Sequence, residues 1–121
     1  AATQPTPQPP PVEPPPVVGQ PDLVPTSIDY DSDINGIPYY RCSYSNVGNA
    51  DTGAPILMEI LLNGSDMDQD VLMEGLAVGE DDYWLFVNPE ATPFSLTCTV
   101  DANGSITESN EANNSITVVF P

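Results

Sequence analysis

The sequence predicts one all-β domain, a two-sheet antiparallel β-sandwich of about seven strands, preceded by a disordered proline-rich linker. Three observations predict it. Short runs of β-branched, aromatic and aliphatic residues follow one another closely, separated by Gly, Asn and Asp. Several runs alternate apolar and polar residues, the period of a half-buried strand, and none has the period of an amphipathic helix. The foldable part is about a hundred residues long, a size that suits a sandwich.

Residues 1–20 form the linker. They include Pro9-Pro10-Pro11 and Pro14-Pro15-Pro16 and almost no large apolar side chains. Proline lacks a backbone N–H and has a fixed φ, so this tract prefers polyproline II and joins neither helix nor sheet. As a semi-rigid spacer it reaches up to about 60 Å at ~3.1 Å per residue. The alternative is a ligand for a proline-recognition domain. The module itself is placed at residues 21–121.

Leu23 to Tyr30 reads as the first strand, with Val24, Ile28 and Tyr30 on one side and Pro25 favouring a sheet edge. Asp31 to Gly36 makes a turn, and Asn35-Gly36 is a strong hairpin signal. In the second strand, Tyr39 to Asn46, alternation sends Tyr40, Cys42 and Tyr44 inward and Arg41, Ser43 and Ser45 outward. After a polar turn, Pro55 to Asn63 puts Ile56, Met58, Ile60 and Leu62 on the core face, opposite Leu57, Glu59 and Leu61. Asp66, Asp68 and Asp70 then alternate, which reads as a solvated edge that discourages edge pairing. Val71 to Met73 is a short strand, and Tyr83 to Val87 follows with Trp84 and Phe86 inward. Phe94 to Val100 alternates strictly, and Ser115 to Phe120 closes the domain with Ile116, Val118 and Phe120 on one face.

Cys42 and Cys98 lack the close spacing of a zinc or redox pair, and the chain has no histidine to complete such a site. Both fall on the apolar faces of alternating strands. A disulfide between the second and penultimate strands is expected, and with it an oxidising compartment; two buried free thiols are the alternative.

Charge narrows the function further. Arg41 is the only basic residue and the formal net charge is -17. Phosphate backbones and anionic membrane surfaces are bound through lysine and arginine, so neither nucleic acid nor membrane is an expected partner. The same charge favours a soluble monomer in a saline extracellular setting, where divalent cations relieve self-repulsion. No run of the sequence is long and apolar enough to span a membrane. The start, Ala1-Ala2-Thr3, reads as an excerpt of a longer secreted protein or as a mature chain after cleavage. Catalysis is disfavoured: without histidine or lysine there is no usual general base for a nucleophile and no Schiff-base lysine.

Four stretches carry a family resemblance: Pro21-Asp22-Leu23-Val24, Ser45-Asn46-Val47-Gly48-Asn49-Ala50, Gly75-Leu76-Ala77-Val78-Gly79-Glu80, and Val100-Asp101-Ala102-Asn103 with Glu108-Ser109-Asn110-Glu111-Ala112-Asn113-Asn114. Together they resemble the CARDB family of bacterial and archaeal extracellular modules, over nearly all of residues 21–120. The resemblance implies an immunoglobulin-like sandwich used as one module among several in large secreted or surface-attached proteins. It implies no catalytic residues, and a role in adhesion, spacing or accessory binding beside neighbouring domains. The cysteine pair looks like an addition particular to this member.

Three sets of residues are candidates for chemistry. Asp101, Asn103, Glu108, Glu111 and Asn113 offer the hard oxygen donors that calcium takes, if the chain folds over at Gly104. The alternative is a hydrogen-bonded turn network where the last strand begins. Asp29, Asp31, Asp33 and Asn35 resemble the start of a second calcium loop. There the twelfth position from Asp31 is Cys42, so an ordinary hairpin tip competes with it. Tyr39 and Tyr83 face outward and are the sugar-stacking candidates of a carbohydrate-binding accessory module.

Overall fold

A computed structural model describes residues 19–121. Eight strands follow in order: β1 (Leu23–Ile34), β2 (Ile37–Asn46), β3 (Ile56–Leu62), β4 (Ser65–Asp66), β5 (Val71–Met73), β6 (Asp81–Val87), β7 (Phe94–Val100) and β8 (Ser115–Phe120). They form a three-stranded sheet, β1-β2-β6, and a five-stranded sheet, β4-β3-β7-β8, with β5 also paired to β3. All pairings are antiparallel. The proline-rich tract lies outside the described residues, except for Gly19 and Gln20.

Alternation builds the core as expected. Ile56, Met58 and Ile60 from β3 and Phe94, Leu96, Cys98 and Val100 from β7 face Tyr40, Cys42 and Tyr44 from β2 and Trp84 and Phe86 from β6, all buried. Tyr40 sits at an aromatic junction, edge-on to Tyr30, Phe94 and Phe120 and stacked on Phe86. Cys42 and Cys98, both fully buried, are joined as a disulfide with Cα atoms 6.5 Å apart. The bond ties the middle strand of one sheet to the centre of the other.

The first strand departs from the sequence reading. It continues to Ile34, so Asp31 and Asp33 belong to a strand, and only Asn35 and Gly36 make the turn, both at positive φ. A register shift between Pro25 and Ser27 also changes which side chains point inward. Leu23, Pro25 and Ile28 are buried, Val24 is half-buried and Tyr30 is exposed. Pro25 does lie on an edge strand, next to that register shift, where a residue without a donor is tolerated. The two-residue β4 raises the strand count to eight.

The chain runs into β1 between two loops. At the end of β2, Asn46 Oδ1 accepts from the Asp22 and Gly48 amides at 3.1 Å each. The Val47 amide donates to the Asp22 carbonyl at 2.8 Å, and Asn49 and Gln20 exchange two further bonds. A Cβ on Gly48 would collide with the Gln20 carbonyl and the Pro21–Asp22 peptide, so glycine is required there by space. The second loop joins β7 to β8.

Candidate functional site

The β7–β8 loop turns immediately. Asp101 takes positive φ, and the Gly104 amide bonds its carbonyl at 3.0 Å. Aspartate tolerates this left-handed conformation better than most residues because its short side chain bonds locally. Here Asp101 Oδ1 accepts from the Ser105 amide at 3.1 Å, and Oδ2 accepts from the Ile106 amide at 3.2 Å. The buried Ile106 side chain pins the loop to the core. Pinning brings the loop's next inward residue, Glu108, to 5 % exposure. Its Oε1 accepts from the Leu23 amide at 2.7 Å, and its Oε2 accepts from Asn114 Nδ2 at 2.5 Å. Glu111 then folds back, so that its Oε1 accepts from the Glu108 amide at 2.7 Å.

The result is three carboxylates, from Asp101, Glu108 and Glu111, that each bring an oxygen within 4.8 Å of the others. Asp101 and Glu108 are buried and Glu111 is exposed, so the group opens to solvent on one side. Two amide oxygens in the same loop, Asn113 Oδ1 and Asn114 Oδ1, are buried and have no hydrogen-bond partner among the described residues. Burial pushes the Glu108 carboxyl up to about 7, with the neighbouring Glu111 and Asp101 charges adding to it and the bonds from Asn114 and Leu23 opposing it.

Asp101, Glu108 and Glu111 converge. Asn113 lies against the incoming chain, its Nδ2 donating to Asp22 Oδ1 at 2.9 Å. Asn103 is exposed at the loop tip and turned to the Ser105 amide at 3.3 Å. Sequence reasoning missed Asn114, whose polar side chain precedes β8 yet is only 9 % exposed. The turn network and the donor cluster, posed as alternatives, are built from the same side chains.

Asp29, Asp31, Asp33 and Asn35 do not gather in this way. They run along β1 to its turn, exposed, and are not among the described acidic groups that come within chelating distance. An extended strand spreads its residues where a calcium loop would curl them round one point. A different acidic group forms instead, from Glu59 on β3, Asp66 on β4 and Asp70 beyond it. Desolvation raises the Glu59 carboxyl, and the Asp66 and Asp70 charges raise it further. The alternate aspartates were visible in the sequence; their third member comes from pairing between β3 and β4.

Tyr39 and Tyr83 both lie on the outer face of the three-stranded sheet, Tyr39 half-buried and Tyr83 49 % exposed. The Arg41 guanidinium stacks 5.4 Å from the Tyr83 ring centroid. Beside it is an open groove of about 430 Å³, lined by Thr26, Ser43, Ser45, Asp81, Asp82 and Tyr83.

The model of the CARDB family matches residues 20–118. No curated protein matches the chain. Among solved structures, a domain assigned to a cell surface protein of Methanosarcina acetivorans is 26% identical, with a TM-score of 0.71 over 83% of this chain and 90% of that one. The CARDB domain of a Pyrococcus furiosus protein, crystallised in complex with di-metal ions, is 19% identical, with a TM-score of 0.62 over 83% and 93%.

Proposed function

Since residues 20–118 make this chain a member of the CARDB family, we propose that it is a non-catalytic extracellular module that spaces or attaches parts of a larger secreted or surface protein, stabilised by calcium. The proline-rich residues 1–20 serve as its linker, and neighbouring domains are its partners. The similarity to a domain of an archaeal cell surface protein supports the surface role.

One observation carries the cation: three carboxylates within 4.8 Å of one another, two of them buried, with the buried Asn114 amide bonded to Glu108 and its own oxygen left without a donor. Every oxygen in that set is an acceptor or part of an anion, and such a set is satisfied by a positive charge. Oxygen donors alone, without imidazole or thiolate, favour a hard cation of the calcium class over zinc. The di-metal complex of the Pyrococcus furiosus domain gives the same reading a precedent within the family. A ligand that binds only the folded state raises its stability, by about 2.7 kcal/mol at a hundredfold excess over Kd. Calcium titrated into chelated protein is therefore expected to raise Tm, and Asp101→Asn or Glu111→Gln to abolish the rise. An unchanged melting curve from micromolar to millimolar calcium overturns the reading.

A second reading, carbohydrate binding, is favoured by the groove on the outer sheet face. Hydroxyls from Thr26, Ser43 and Ser45, carboxylates from Asp81 and Asp82, and the Tyr83 ring line it together. A sugar needs that combination: acceptors and donors for its hydroxyls, and a π-face for its C–H groups.

A further inference from the structure

The acidic loop also grips the chain where it enters the domain. Three bonds reach back to that incoming segment: the Leu23 amide to Glu108 Oε1 at 2.7 Å, the Ser109 amide to the Pro21 carbonyl at 3.0 Å, and Asn113 Nδ2 to Asp22 Oδ1 at 2.9 Å. These contacts join residues up to 91 apart in sequence. The end of β2 and the loop after it hold the other side of the segment through Asn46, Val47 and Asn49, without using any carboxylate.

The two grips therefore differ in what they depend on. The Asn46 side is made of neutral amides and carbonyls and involves no charged group. The loop side runs through Glu108, which is buried beside the carboxylates of Asp101 and Glu111. Like charges this close repel, and the repulsion relaxes when the part of the loop beyond the Ile106 anchor swings out. Swinging out removes the acceptor of the Leu23 amide and draws Ser109 and Asn113 away from Pro21 and Asp22. A divalent cation turns the mutual repulsion into attraction to one centre and holds the loop closed.

We propose that the β7–β8 loop is a cation-dependent anchor: a bound divalent cation fastens residues 21–23 to the domain, and its loss frees one side of them. The proposal rests on the cation reading above. What it adds is a joint at the start of the module. The linker leaves from a rigid point when the cation is present and from a looser one when it is absent.

Amide hydrogen exchange on the full 121-residue chain, in excess calcium and in chelator, tests the anchor, with calorimetry reporting calcium binding separately. Removing calcium is expected to speed exchange at Leu23 and Ser109 by about tenfold or more, while Leu96 and Cys98 in the core stay protected. Glu111→Gln removes a proposed ligand without touching the incoming segment, and in that variant calcium is expected to leave the Leu23 rate unchanged. Saturable binding with no change at Leu23 and Ser109 overturns the anchor and spares the cation site. Absence of binding overturns both. A full calcium response at Leu23 in Glu111→Gln places the coupling elsewhere and also overturns the anchor.

Discussion

The amide of Leu23 donates to the carboxylate of Glu108 at 2.7 Å, across 85 residues of sequence. The first residue of the first strand is thus held by a side chain from the last loop. The acid that does so lies beside two others and is bonded by Asn114, whose own oxygen has no partner among the described residues, so the bond belongs both to the fold and to the candidate cation site.

That double role predicts an inverted pH dependence in chelator. An ordinary unfolded glutamate titrates near about 4.3, whereas the folded Glu108 carboxyl is raised to about 7. Between those values the folded state holds the proton more tightly. The stabilisation from protonated Glu108 is complete below the unfolded value and is lost as pH rises through about 7. Urea melts in chelator are expected to show this loss between mildly acidic and neutral pH. Glu108→Gln should flatten the profile, and an unaltered profile in that variant would assign the effect to other acids.

Asn46 predicts a large stability cost without any ligand. It is fully buried and all four of its side-chain bonds are made, two from the Asp22 and Gly48 amides and two to the Ala50 and Leu76 carbonyls. Asn46→Ala leaves buried groups of three segments unpaired and is expected to cost roughly 3 kcal/mol in denaturant unfolding. Asn46→Asp keeps the acceptor but sets a buried carboxylate against two carbonyls, and should cost at least as much. A loss under about 1 kcal/mol for both variants would mean the segments hold together without it.

The Cys42–Cys98 bond closes a span of 56 residues. A loop of that size is worth roughly 4 kcal/mol in the chain-entropy model. The paired change Cys42→Ala with Cys98→Ala should lower the unfolding free energy by up to about that amount. Thiol labelling of the unfolded wild-type protein should detect no free thiol, and two labelled cysteines would refute the bond.

The groove beside Tyr83 predicts retention on a polysaccharide affinity gel that weakens on Tyr83→Ala. Arg41 already covers part of the ring, so Arg41→Ala is expected to change retention as well. Migration without delay on a broad panel of polysaccharides rules the carbohydrate reading out.

Much of this was legible in the residues, because alternation records burial directly. Phe94 to Val100 and Ile56 to Ile60 show which face is inward in their letters alone, and Cys42 and Cys98 inherit their places from that pattern. What escaped depended on register or on distant chain. The bulge near Thr26 shifts the phase of β1 without any change in composition. Glu59 joins Asp66 and Asp70 only through strand pairing. Asn46 stands where a strand end meets a polar turn, yet it falls in phase with Cys42 and Tyr44. A polar residue on the apolar phase was the available sign that it is buried and fully bonded. In the candidate site, the three acids were legible from composition, whereas the role of Asn114 waited on knowing that the loop closes over it.

Arg41 has one more consequence. It is the only lysine or arginine in the sequence, so a protease that cuts after basic residues finds a single peptide bond to attack, between Arg41 and Cys42. That bond lies in the middle strand of its sheet, paired to β1 on one side and to β6 on the other. A protease needs an extended, unpaired segment in its cleft, and this one is offered only when the sheet opens. Trypsin-like digestion of the native domain would therefore proceed no faster than its unfolding.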